Sequence, residues 1–125
     1  MKTSLRAPTK YEAERMDAMM RLGCVACAQI GIAHVAQECH HILSGGRRMG
    51  HWFTLPLCRG HHQGDFSAEQ RQVFPAGTLV AISDGRKLFN AVYSPERKLW
   101  EVVQDRLHLP KVWPVSSKVL PRRVA

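Results

Sequence analysis

Two pairs of metal-ligating residues constrain the fold of this chain more than any other feature. Cys24 and Cys27 are separated by two residues, as are Cys58 and His61, and thirty residues lie between the two pairs. Thiolates and imidazole are preferred ligands of Zn²⁺, and a closed set of four is typical of a structural site. The sequence therefore predicts a structural zinc whose ligands come from two distant segments that the fold must bring together.

The length of the chain, its fourth cysteine and its lack of long apolar segments indicate the class of protein. A chain of 125 residues supports one domain, whose modest core a bound metal would stabilise. We expect the fourth cysteine, Cys39, to pack as a small hydrophobe, with metal ligation as the alternative. The N-terminus lacks the apolar segment of a secretory signal, and no apolar run reaches the ~20 residues of a membrane span. These features predict a cytoplasmic protein with reduced thiols and no membrane partner.

The charge of the chain predicts a polyanionic partner. Lys and Arg number 18 against 10 Asp and Glu, a net charge of +8, which favours DNA because phosphate contacts release counterions. A basic protein without such a partner is the alternative. Arg47, Arg48 and Arg59 are the candidate DNA-binding residues, since arginine matches phosphate oxygens with two donors. Arg122 and Arg123 in the C-terminal tail are further candidates. Phosphate contacts carry no sequence information, so we expect little sequence specificity.

The hydrophobic pattern predicts an α+β domain. An N-terminal helix is expected over residues 9–22, capped by Thr9. Short strands are expected over 35–43 and 51–57, joined by a glycine-rich turn. Three further helical segments are predicted. One begins at a Ser67–Gln70 capping box and runs to about residue 74, one covers residues 87–93, and one follows with Ser94 as its cap.

Two tandem histidine pairs exceed what a zinc site needs. Adjacent side chains point in different directions, so His40 and His41 should have different roles, as should His61 and His62. We predict that His40 and His62 bind a catalytic divalent metal, such as Mg²⁺, that polarises a phosphodiester. His41 is then the general base, because an imidazole accepts a proton from water near neutral pH. The alternative is a set of hydrogen-bonded polar histidines.

These motifs resemble a known family. The order Cys-x-x-Cys, His-His-Ile and Leu-Cys-x-x-His-His resembles the HNH nucleases of the ββα-metal fold in their zinc-stabilised form. Residues 22–27, 40–51 and 56–64 more closely resemble the Ref-like nucleases, the recombination enhancement, RecA-dependent nucleases of phages and prophages.

The resemblance implies a domain organisation. It places a small zinc-stabilised ββα-metal (HNH, treble-clef-like) core at residues 22–74, flanked by N- and C-terminal helices, inside a nuclease domain at 9–110. Residues 1–8 are then a tail, and residues 111–125 a basic extended tail.

The resemblance also implies a reaction. An endonuclease of this family, in the cytoplasm of a bacterial host, would leave a 3′-hydroxyl and a 5′-phosphate. RecA-bound single strands or displacement loops are the implied substrates, and the RecA filament a partner.

One position departs from the family pattern. Many HNH enzymes have an asparagine five residues before the third zinc ligand, where it orients the base, and here that residue is Phe53. His51 is the candidate for the role of this asparagine. The alternatives are that a backbone carbonyl orients the base, or that His51 is only a structural hydrogen-bonding residue. Asp65 is a further candidate metal ligand, with a loop or cap role as the alternative.

Two other functions compete with this interpretation. A non-catalytic, zinc-braced DNA-binding module explains the charge and the four zinc ligands, but not the surplus histidines, and would hold a single metal. A generic HNH nicking endonuclease would cut bare duplex DNA without RecA.

Overall fold

The computed structural model describes residues 6–114, which form helices around two small antiparallel sheets. The predicted α+β class is therefore confirmed. A 3-10 turn at Ile82–Asp84 precedes the last two helices. The elements in chain order are α1 (Lys10–Leu22), α2 (Val25–Gln29), β1 (Glu38–His41), β2 (Leu43–Ser44), β3 (Arg47–Arg48), β4 (Thr54–Leu57), α3 (Arg59–Gln63), α4 (Ala68–Val73), α5 (Arg86–Val92) and α6 (Glu96–Arg106).

Local capping sets the limits of the first helix. The Thr9 hydroxyl accepts a hydrogen bond from the Glu12 amide at 3.2 Å, and the Glu12 carboxylate accepts one from the Thr9 amide at 2.9 Å. This capping box satisfies two of the free amides at the helix start. Gly23 ends the helix with a φ of 96°, a conformation that favours glycine. The predicted boundaries of α1 are confirmed.

The other predicted helix starts differ in outcome. Ser67 and Gln70 form the expected capping box at the start of α4. The last helix begins later than predicted, because Pro95 is its N-cap residue and Ser94 lies outside it with a φ of 150°. The prediction of Ser94 as the cap was therefore wrong.

The central sheet pairs β1 with β4, with His41 opposite Thr54. Both strands are shorter than predicted, and β1 ends at His41 because the next residue, the buried Ile42, bonds to two different segments. Its amide donates to the Phe53 carbonyl at 3.0 Å, and its carbonyl accepts from the Met49 amide at 3.0 Å. The segment between the strands then forms a second ribbon, β2–β3, around Gly45 and Gly46, whose positive φ values suit a tight turn.

The core lies between α1, β4 and α6. Trp100 of α6 stacks on Phe53 with ring centroids 5.3 Å apart, and both side chains are fully buried. Arg15 of α1 donates to Thr54 Oγ1 at 2.8 Å and to Gln104 Oε1 at 2.7 Å, so a buried guanidinium joins three elements. This packing fixes β4, and β4 in turn fixes the start of α3, which carries His61 and His62.

The ends of the chain were predicted to be tails. Residues 1–5 and 115–125, including Arg122 and Arg123, lie outside the described residues. Among residues 6–114, no helix has both the length and the apolar character that crossing a bilayer requires.

Candidate metal centre and active site

Four buried side chains converge on one point in the core. The sulfurs of Cys24, Cys27 and Cys58 and a ring nitrogen of His61 all lie within 4.8 Å of one another. His61 Nδ1 is 3.7, 3.5 and 3.3 Å from these sulfurs in turn, and the Cys27 and Cys58 sulfurs are 3.9 Å apart. A tetrahedron around zinc with bonds of ~2.3 Å has edges of about 3.8 Å, so the spacing fits this metal. The predicted set of ligands is brought together, and Cys39 lies outside it.

Two short helices present these ligands in the same way. Cys24 and Cys58 are the N-cap residues of α2 and α3, and each sulfur accepts a hydrogen bond of 3.4 Å from the backbone amide of Cys27 or His61. Helix N-termini favour negative charge, which stabilises thiolates at these positions. The pKa of Cys27 is raised, first by hydrogen bonding with Cys24 and Cys58 and then by burial. The cluster therefore needs a cation to hold three thiolates together.

Aromatic side chains support His61 from the other side. His61 Nε2 donates to Tyr93 Oη at 2.6 Å, and the Tyr93 hydroxyl donates to the Thr78 carbonyl. This contact leaves Nδ1 as the ligating atom. The Phe66 ring lies edge-on to His61, and a Cβ at Gly60 would come within 2.3 Å of it, so this position requires glycine. Sequence reasoning missed Tyr93, which is thirty-two residues from His61.

One histidine of each tandem pair, His40 on β1 and His62 on α3, lies against the other. The rings of His40 and His62 lie edge to face with centroids 5.2 Å apart. His40 Nε2 donates to Glu96 Oε2 at 2.7 Å, and His62 Nδ1 donates to Glu38 Oε1 at 2.6 Å. A histidine whose second nitrogen is bound to a carboxylate is typical of metal sites. The nitrogens left for a ligand are His40 Nδ1 and His62 Nε2.

Both carboxylates were missed in the sequence. Glu38 is two residues before His40 on β1, and side chains two apart share a strand face, so this spacing was an available signal. Glu96 is fifty-six residues from His40, and no local pattern connects them. Burial acts to raise the pKa of Glu96, but the hydrogen bond that it accepts from His40 and the charge of Arg86 lower it overall. Glu96 is thus a buried anion at the site.

His41 has a different set of partners from His40. His41 Nε2 lies 3.0 Å from His51 Nδ1, and His51 Nε2 lies 2.6 Å from the Arg6 carbonyl oxygen. Burial lowers the pKa of His41 to about 4, and the charge of Arg48 acts in the same direction. His41 is therefore neutral at neutral pH.

The remaining predicted positions fall in different surroundings. Phe53, at the position of the family's asparagine, is fully buried in the core, where its ring stacks on Trp100. Asp65 lies outside the metal cluster, and its carboxylate is 3.8 Å from the Arg59 guanidinium. Arg59 also lies 3.6 Å from Glu38. Arg47 and Arg48 form β3 and are exposed.

An arginine that the sequence did not single out also borders this site. Arg86 Nε donates to Glu96 Oε1 at 2.7 Å, and its side chain is half exposed. A guanidinium that is held on one side and open to solvent on the other can bind a phosphate.

Most of the described part of the chain matches a known protein family. The model of a family described as recombination enhancement, RecA-dependent nuclease matches residues 8–108. The matched range includes the Cys₃His cluster and all the histidines described above.

Proposed function

The chain belongs to the family of recombination enhancement, RecA-dependent nucleases, and on that premise we propose that it is a metal-dependent DNA endonuclease. Its proposed substrates are single-stranded or RecA-bound DNA, and its nuclease domain spans residues 9–110. The proposed structural ion is zinc, at the Cys₃His cluster.

The observation that carries this proposal is that His40 and His41, which are neighbours on β1, have different hydrogen-bond partners. His40 is hydrogen-bonded to a carboxylate, whereas His41 contacts another imidazole, His51. Phosphodiester hydrolysis needs both a metal ligand and a neutral base close to it. A module that only binds DNA gives no reason for this arrangement.

His40 and His62 have the donor chemistry of a second metal site. Their nitrogens that are not bound to carboxylates would hold a divalent ion, Mg²⁺ or a similar one, which supplies positive charge to the scissile phosphate and the leaving oxygen when bound. Glu96 and Glu38 orient the two rings from behind. His41 takes a proton from the attacking water, and the products carry a 3′-hydroxyl and a 5′-phosphate.

Four arginines are proposed to hold the DNA backbone. Arg48 lies close enough to lower the pKa of His41, and Arg59 and Arg86 contact the two carboxylates that support the metal ligands. Arg47 adjoins Arg48 on β3. These cations border the histidines on several sides, so a phosphate placed there would be held over His41.

A cleavage assay tests the function directly. The full chain, loaded with zinc, is incubated with Mg²⁺ and with single-stranded, duplex or RecA-bound DNA. We expect cleavage that requires the divalent ion and is fastest on RecA-bound DNA. Equal cleavage of bare duplex without RecA would contradict the RecA-bound substrate and support a generic nicking enzyme. No cleavage of any substrate would support a DNA-binding module instead.

The carboxylate behind His40 gives a more specific prediction. Glu96→Gln keeps the size of the side chain but removes the charge that polarises His40, so we expect activity or affinity for the divalent ion to fall about 10–100-fold. Titration of cleavage against the divalent ion measures this effect. Glu101→Gln on the same helix is the control, because Glu101 pairs with Arg97 and not with a histidine. Equal activity of the two variants would contradict the role of Glu96.

A further inference from the structure

We propose that residues 6–9, here named the N-terminal strap, hold the His51–His41 pair in the one tautomeric state in which His41 can act as a base. Glu12 fastens the strap, so Arg6 and Glu12 are positioning residues that act through His51. This inference rests on the proposed role of His41 and adds residues that do not touch the substrate.

The partners of His51 determine which ring nitrogens carry a proton. His51 Nε2 lies 2.6 Å from the Arg6 carbonyl oxygen, which can only accept, so Nε2 carries the proton. In neutral His51, Nδ1 is then an acceptor. Because His41 Nε2 lies 3.0 Å from that acceptor, it must donate.

The chemistry of imidazole then determines which nitrogen of His41 is basic. A neutral ring carries one proton, so a His41 that donates through Nε2 has a bare Nδ1. That bare nitrogen is the atom that accepts a proton from water. The Arg6 carbonyl thus determines, through two rings, which nitrogen of His41 is basic.

The side chain of Glu12 holds the Arg6 carbonyl in place. Arg6 Nη1 and Nη2 donate to Glu12 Oε1 and Oε2 at 2.8 and 3.0 Å, and Oε1 also accepts from the Thr9 amide at 2.9 Å. Glu12 is buried in the first turn of α1, and its pKa is lowered mainly by the hydrogen bond from Arg6. One rigid carboxylate therefore fixes both ends of the strap.

Without the strap, both His51 and His41 could adopt the tautomer that is protonated on Nδ1. If His51 carries its proton on Nδ1, His41 Nε2 becomes the acceptor and the His41 proton moves to Nδ1, so the basic atom is lost. One proton moves within each ring by exchange with water, and the net charge does not change.

Glu12→Gln in the full, zinc-loaded chain tests the inference. Glutamine still forms a capping box with Thr9, so the helix start is kept while the ion pair with Arg6 is lost. We expect kcat for DNA cleavage to fall about tenfold with KM unchanged, since outer partners of site histidines have effects of this order. Arg6→Ala should lower kcat by the same factor as Glu12→Gln. Arg6→Lys, which keeps the positive charge, should have a kcat between those of Arg6→Ala and the wild type. Asp105→Asn is the control, because it removes an exposed ion pair with Lys111 that contacts no histidine.

Two readouts separate positioning from a general loss of stability. Nitrogen-15 NMR of the histidine rings should show both His41 and His51 protonated on Nε2 in the wild type, with an Nδ1-protonated population of His41 in Glu12→Gln. In a His51→Ala background, Glu12→Gln should cause no further loss of kcat, because its only route to His41 is gone.

The NMR result decides the inference even if the proposed function fails. A wild-type His41 protonated on Nδ1, or tautomers and kcat unchanged in Glu12→Gln, would overturn the strap. A wild type that cleaves no DNA would refute the nuclease proposal, while the tautomers would still support or refute the strap.

Discussion

His41→Ala is expected to lower the rate of DNA cleavage by about 10²–10⁴-fold, because general base catalysis contributes an acceleration of that size. The zinc content and the thermal stability of this variant should stay nearly unchanged. His41 is only half-buried and lies outside the zinc cluster and the apolar core. The measurement is single-turnover cleavage of the best substrate at saturating divalent ion.

A second histidine provides the control for this experiment. His108 is exposed after α6 with a φ of 59°, a conformation that asparagine tolerates, so His108→Asn removes an imidazole without strain. This variant should cut like the wild type. If a folded, zinc-loaded His41→Ala also cuts like the wild type, His41 is not the base and the assignment fails.

Cys27→Ser is expected to abolish zinc binding and, with it, the folded state. A structural zinc contributes ~10–16 kcal/mol of apparent binding free energy, and the net stability of a domain is only ~5–15 kcal/mol. The Cys27 sulfur is fully buried among the other ligand atoms, and a hydroxyl there is a poor replacement for a thiolate. Zinc per chain and far-ultraviolet circular dichroism measure the loss, and a strong chelator should produce the same change in the wild type.

The fourth cysteine is a matched control for the zinc prediction. Cys39→Ser makes the same chemical change outside the cluster, on β1, where the pKa of the thiol is raised by burial. We expect this variant to keep one zinc per chain and its fold. A folded Cys27→Ser with a full complement of zinc would show that the cluster is not the site.

The two sites are joined through α3. His61 points to the sulfurs, and His62, the next residue, points to Glu38 and the ring of His40. Zinc bound at the Cys₃His cluster would therefore fix the helix that carries His62, the proposed ligand of the catalytic ion. For this reason zinc removal should also end cleavage, whereas loss of His41 should not affect zinc.

Much of the molecule could be predicted from short-range patterns. The two ligand pairs identified the metal cluster, because Cys-x-x-Cys and Cys-x-x-His each fit one turn at a helix start. The box between Thr9 and Glu12 set the start of α1 for the same local reason. The tandem histidines separated as expected: His40 and His41 lie on a strand, where neighbours face opposite ways, and His61 and His62 lie on a helix, where neighbours also point in different directions.

Other features depended on contacts between distant parts of the chain. Glu96 reaches His40 from the start of α6, Tyr93 supports His61 from the end of α5, and the Arg6 carbonyl meets His51 from outside every helix and strand. Spacing in the sequence carries no information about such pairs, because they come together only when elements that are distant along the chain pack against each other. The sequence by itself thus determined which side chains can bind metal, and only the tertiary structure decided which atoms of those side chains are left free to do so.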